Sequence, residues 1–134
     1  MTNCRILLVD DDHEDRSLMQ DAFKELGHDG DICFAENGED AIEALHKYLA
    51  ANNLPRLVVL DLNMPRMNGT QTLQAIKSVP QFNTVGVIIL STGVNAKERE
   101  ACLNNGAMVY MVKPISYKGF LQVAEHLYDI SVGA

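Results

Sequence analysis

The chain has 134 residues, 47% of them hydrophobic and 22% charged, which is one domain's worth of ordinary globular sequence and excludes disorder and fibrous repeats. No apolar run approaches the roughly 18 residues that a membrane helix needs, so the expectation is a soluble, cytoplasmic protein of one domain, 1–134, with no signal peptide. A formal net charge of −7 argues against direct nucleic-acid binding, which needs a basic face.

In chain order, the first β-rich apolar run is 4–9, followed at once by Asp10, Asp11 and Asp12. Leu18, Ala22, Phe23 and Leu26 then share one helical face, closed by Gly27. A second strand over 32–35 leads to Asn37, which with Asp40 three residues on can cap a helix bearing Ala41, Ile42, Leu45 and Leu49. Residues 50–56 contain Asn52, Asn53 and Pro55 and read as a loop before a third strand, 57–60, which ends at Asp61. Leu73 and Ile76 mark the third helix, and the fourth strand, 85–90, ends in Ser91 and Thr92. Asn95 with Glu98 opens a weaker helix over 96–104 with Gly106 behind it; strand 108–112 then ends in Lys113 and Pro114. Ser116 precedes the last helix, whose apolar face is Phe120, Ala124, Leu127 and Tyr128. Only 131–134 lie beyond it, which predicts no attached effector domain.

Most of these strands lack period-two alternation, as expected when both faces of a parallel sheet are buried. Five βα units with short connections predict an α/β fold: a doubly wound, five-stranded parallel sheet in an α/β/α sandwich, flavodoxin-like if the order is the common 2-1-3-4-5. Cys4, Cys33 and Cys102 are an odd number without metal-ligand spacing, so they are expected to be reduced core thiols. His13, His28, His46 and His126 show no ligand spacing either. Most of the 18 acids fall between Asp10 and Glu43, where only Arg16 and Lys24 oppose them.

Ligands of open α/β sheets bind outside the carboxyl ends of the strands. There this chain places three carboxylates (Asp10, Asp11, Asp61), a hydroxyl and the Lys113 ammonium. Carboxylates so close repel one another unless a hard divalent cation sits among them, which points to Mg²⁺. Lys113 and Ser91 suit the equatorial oxygens of a phosphoryl group, and Asp61 is the candidate nucleophile for an acyl phosphate. No glycine-rich nucleotide cradle is present, so the donor is expected to be another protein or a small acyl phosphate.

Each residue has a plainer explanation when taken singly. The aspartates can cap the first helix, Asp61 can end a strand before a turn, Lys113 can be solvated and Tyr110 can simply pack on the sheet. Their coincidence at one end of neighbouring strands is what favours a site. Two other readings compete: a phosphatase of haloacid-dehalogenase type using Asp10 and Asp12, which Glu14 and the short chain fit poorly, and a binding module that keeps the fold without phosphorylation.

The run Ile6-Leu7-Leu8-Val9-Asp10-Asp11-Asp12, the run Val59-Leu60-Asp61-Leu62-Asn63-Met64-Pro65 leading to Asn68-Gly69, the pair Ser91-Thr92 and Tyr110-Met111-Val112-Lys113-Pro114 together resemble the receiver domain (CheY-like) of two-component response regulators, over nearly the whole chain. The resemblance implies that Asp61 accepts a phosphoryl group from a histidine kinase. It also implies that Asp11, Asp61 and the Asn63 carbonyl bind Mg²⁺, with Asp10 helping through water. Ser91 would be the switch hydroxyl, Lys113 the phosphoryl partner and Tyr110 the reorienting aromatic, and the Lys113–Pro114 bond would be cis. The protein would be a signalling domain and not an enzyme beyond Mg²⁺-dependent self-phosphorylation and autodephosphorylation. Its partners would be a sensor kinase and a downstream effector or phosphotransfer protein, with dimerisation left open. The strand length favours Asp10 and Asp11 as the acid pair with Asp12 as a cap; Thr92 stays an alternative to Ser91. The loop before the third strand and the Asn63-Met64-Pro65-Arg66 segment resemble small stand-alone receivers that work with phytochrome-type kinases.

Overall fold

In a computed structural model of the chain, residues 4–64, 67–93 and 95–133 are described; Pro65 and Arg66 of the motif above lie outside them. The elements are β1 (Ile6–Val9), α1 (His13–Glu25), β2 (Ile32–Ala35), α2 (Gly38–Ala50), β3 (Leu57–Asp61), α3 (Gly69–Lys77), β4 (Gly86–Ser91), α4 (Ala96–Asn104), β5 (Val109–Val112) and α5 (Tyr117–Val132). The strands form one parallel sheet of order β2-β1-β3-β4-β5, in which Ile6 pairs with both Ile32 and Leu57, Leu57 with Gly86, and Ile88 with Val109. Strands β1 and β3 are buried throughout and β4 nearly so, while the edge strands β2 and β5 are partly open. That gradient explains why the central strands are unbroken apolar runs.

Alternate side chains enter two separate cores. Ile6, Leu8, Leu57, Val59, Ile88 and Leu90 pack against Met19, Ala22 and Phe23 of α1 and Phe120, Ala124 and Leu127 of α5. Leu7, Val9, Val58, Leu60, Val87 and Ile89 pack on the other face against Ala41 and Leu45 of α2, Leu73 and Ile76 of α3 and Cys102 of α4. Burying each of the larger of these side chains contributes about 1.5–3 kcal/mol, enough in sum to hold charged groups in place at the strand ends.

The caps follow the sequence pattern. Asp12, Asn37, Asn95 and Ser116 each accept backbone N–H bonds at a helix start, and Asn68 forms a reciprocal capping box with Gln71. Gly27 and Gly106 end α1 and α4 at φ +79° and +104°, the left-handed region that favours glycine.

Several expectations are corrected. Strands β1, β4 and β5 begin later than their apolar runs, and α5 runs on to Val132, with the Ser131 hydroxyl donating to the Tyr128 carbonyl. Short 3-10 turns occupy Asp29–Asp31 and Pro80–Phe82. Cys4 and Cys33 are disulfide-bonded and not reduced: pairing of β1 with β2 brings their Cα atoms to 5.8 Å, a proximity that 29 residues of separation do not reveal. Cys102 is a free, buried thiol as expected, its pKa pushed up by burial. No peptide among the described residues is cis, so the Lys113–Pro114 bond is trans, the intrinsically preferred isomer of an X–Pro bond by about 0.5–1 kcal/mol. Among the described residues no helix is long and apolar enough to cross a membrane.

Candidate functional site

Strand parity decides which polar side chains meet. Asp10 stands two residues past Leu8, Asp61 two past Val59 and Lys113 two past Met111, all members of the core facing α1 and α5. The three therefore converge on that side of the sheet's carboxyl rim. The Lys113 Nζ lies 2.7 Å from Asp10 Oδ2, 3.3 Å from Asp61 Oδ2 and 2.7 Å from Asp15 Oδ2 of α1. Asp10, Asp61 and Lys113 are buried at 2%, 4% and 9% exposure, so these are desolvated charges and not surface pairs. Asp10 Oδ1 also accepts the Asp12 N–H at 2.9 Å, and Arg16 Nη1 donates to the Asp10 carbonyl at 2.6 Å.

Burial pushes the Asp10 carboxyl up to about 6, against the opposing pull of its bonds from Lys113 and the Asp12 N–H and with the added push of the Asp61 charge. For Lys113, burial alone would lower the pKa; the bonds to Asp10 and Asp15 and the charges of Asp10 and Asp61 outweigh it and hold the group above the ordinary lysine range. Lys113 is thus a fixed ammonium.

Asp10, Asp11 and Asp61 each offer a carboxylate oxygen, all within 4.8 Å of one another, and Asp11 is exposed where the other two are buried. Counting Asp15, four carboxylates stand here against one ammonium, which pairs with three of them, so the cup carries excess negative charge. An all-oxygen donor set with residual anionic charge fits a hard divalent cation. Asn63 borders it: its N–H donates to Asp61 Oδ1 at 3.2 Å and its Nδ2 to Thr92 Oγ1 at 3.1 Å.

Ser91 and Tyr110 belong to the opposite parity, that of Ile89, and face α4. The Ser91 hydroxyl, 3% exposed, lies 3.0 Å from the Gly93 carbonyl and 3.4 Å from Glu98 Oε1. The Tyr110 hydroxyl lies 3.2 Å and 3.1 Å from the same two acceptors. Thr92 is exposed. Pro114 is half-buried beside Gly119 at the start of α5.

The sequence reading missed Asp15 and Glu98 as site neighbours. A signal for Asp15 exists: it precedes Met19 by four, so a carboxylate sits at the upper end of α1's buried stripe, where a partner charge is required. For Glu98, in the first turn of α4, capping was an adequate explanation.

Fold and cup define a doubly wound α/β protein with a cluster of three carboxylates able to hold a metal ion and a buried lysine at the strand carboxyl ends. The model of the response regulator receiver domain matches residues 6–125. A chemotaxis protein CheY homologue of Campylobacter jejuni is 30% identical over 112 residues, covering 84% of this chain and 82% of that one. Among solved structures, the phosphorylated cyanobacterial phytochrome response regulator RcpA is similar with a TM-score of 0.84 at 26% identity, over 96% of this chain and 94% of that one. The Mn²⁺-bound form of response regulator Rcp1 gives a TM-score of 0.76 at 27% identity, over 92% and 91%. The chain belongs to the response regulator receiver domain family.

Proposed function

We propose that this chain, 1–134, is one receiver domain whose Asp61 accepts a phosphoryl group from a sensor histidine kinase or from a small acyl phosphate. The observation that carries this is the buried Asp61 carboxylate set against the Lys113 ammonium at 3.3 Å and beside Asp10 and Asp11. An Asp61 oxygen attacks phosphorus, the P–N bond of the phosphohistidine breaks, and imidazole leaves as the mixed anhydride forms. The Lys113 N–H groups balance the new phosphoryl oxygens. Asp11 and Asp61 with the Asn63 carbonyl, and Asp10 through water, are the groups proposed to hold Mg²⁺, which supplies further charge neutralisation. The similarity to Rcp1, solved in an Mn²⁺-bound form, supports a divalent cation as the ligand. Water attack on the anhydride resets the protein.

Added anionic oxygens draw the Ser91 hydroxyl from the acceptors it shares with Tyr110, freeing the ring to repack beside α4 and shifting a two-state equilibrium. The burial of Ser91 favours it over exposed Thr92 as the switch hydroxyl. Output then passes to a separate effector or phosphotransfer protein in the cytoplasm. The similarity to RcpA supports a phytochrome-type kinase as the donor.

Acetyl phosphate with Mg²⁺ is expected to add one phosphoryl group to the wild type and none to Asp61→Asn, read by intact mass. Beryllofluoride with Mg²⁺ is expected to move the Tyr110 ring resonances in the wild type alone. Equal labelling of both proteins refutes the acceptor, and an unmoved ring refutes the switch.

The Asp10 pKa of about 6 sets a pH dependence. Below it a proton occupies the carboxyl and competes with metal, so Mg²⁺ affinity is expected to fall as pH drops through about 6 and to level off above. The metal-free protein behaves oppositely: the folded state holds this proton more tightly than the unfolded chain, so stability contributed by protonated Asp10 is lost as pH rises from 3.8 through about 6. Denaturation curves with and without Mg²⁺ across this range check both signs; parallel curves would contradict them.

A further inference from the structure

We infer that Asp15 is a positioning residue that holds the Lys113 ammonium by its charge and so restrains the phosphorylated state. This rests on the reading of Asp61 as acceptor and deepens it. Lys113 Nζ has three N–H donors and three carboxylate neighbours, at 2.7 Å (Asp10), 2.7 Å (Asp15) and 3.3 Å (Asp61). The ammonium is drawn closer to the two flanking acids than to the acceptor.

Of those two, Asp10 is fully buried and belongs to the metal-binding group, whereas Asp15 comes from the first turn of α1 and is outside the three-carboxylate cluster. Among the described residues the capping bonds at this helix start fall to Asp12, which accepts the N–H groups of Glu14 and Asp15. Among the described residues its partner is Lys113. Turning the Asp61 carboxylate into an acyl phosphate adds anionic oxygens that compete for the same ammonium. A unit negative charge 2.7 Å from that nitrogen weakens its attraction for them, so removing the charge favours the phosphorylated form.

Beryllofluoride, which forms a tetrahedral adduct on a carboxylate, is titrated by calorimetry at saturating Mg²⁺ into the wild type, Asp15→Asn and Asp15→Ser. The same substitutions are also tested in a Lys113→Met background. Asp15→Asn keeps an acceptor for the ammonium while removing the charge. Both substitutions are expected to tighten beryllofluoride binding roughly three- to tenfold, as for one unit charge a few ångströms away in a partly solvated site, and to slow loss of the acyl phosphate. In the Lys113→Met background the gain is expected to shrink to the part that direct repulsion alone supplies, an outcome that a merely structural role of Asp15 does not produce. Unchanged or weaker binding in both single variants overturns the inference, as does an equal gain with Lys113 absent. If the wild type itself takes up no beryllofluoride while Mg²⁺ binds, it is the assignment of Asp61 as acceptor that fails.

Discussion

Lys113→Met is expected to slow labelling by acetyl phosphate by about a hundredfold, the cost of losing one preorganised donor to developing phosphoryl charge, while strengthening Mg²⁺ binding. The two effects have opposite signs because one ammonium serves both states. Its loss removes the partner of incoming phosphoryl oxygens, yet it also leaves Asp10, Asp15 and Asp61 without their shared cation and thereby makes the cup more anionic. A stability effect accompanies them. Stranding buried carboxylates costs about 3–5 kcal/mol, and methionine fills the volume without supplying charge. The loss is expected in metal-free protein at neutral pH and should shrink on adding Mg²⁺ or on acidifying below about 6, where Asp10 takes a proton. Denaturant titrations under the three conditions, with calorimetry for the metal, measure this directly. A variant of wild-type stability with unchanged metal affinity would show that Lys113 is not the counter-ion of this cup.

Gly69→Ala is expected to damage the site through the backbone. A Cβ there would sit 2.7 Å from the Leu62 Cα and 2.8 Å from the Asp61 carbonyl oxygen, both main-chain atoms that no side-chain rotation can move. The Gly69 N–H donates to the Leu62 carbonyl at 3.2 Å, so the start of α3 is pinned against the end of β3. Opening that contact costs about 1–3 kcal/mol and shifts the peptide that carries Asp61. Gly30→Ala is the matched control, since nothing lies within 4 Å of its Cβ and its φ is not in the left-handed region. Labelling by acetyl phosphate and the thermal midpoint are both expected to fall for Gly69→Ala and to hold for Gly30→Ala.

The legible parts of the fold are those that burial writes into residue type. β1, β3 and β4 are buried on both faces, so their apolar runs end where the sheet ends, and Asp10, Asp61 and Ser91 stand out as polar terminations. Even α4, with Cys102 its one buried side chain, is legible to the residue because Asn95 caps it and Gly106 follows it. Contacts between elements were less legible. The Cys4–Cys33 bond depends on how β1 and β2 are paired, and Glu98 reaches Ser91 and Tyr110 only through the turn of α4. Asp15 is the instructive case: its spacing from Met19 was readable, but a carboxylate in a first helical turn already has an adequate local role. The cis bond before Pro114 is an expectation that rests on resemblance and not on any residue pattern, and like the reduced state of Cys4 and Cys33 it is corrected by the structure.

The most direct test locates the phosphoryl group itself. After reaction with acetyl phosphate and Mg²⁺, borohydride reduces an aspartyl phosphate to homoserine, and peptide mass spectrometry reads which aspartate was converted. Conversion at position 61 alone is the expected result. Homoserine at position 10, 11 or 12 instead, or at no aspartate in a protein that has gained phosphorus, would contradict it.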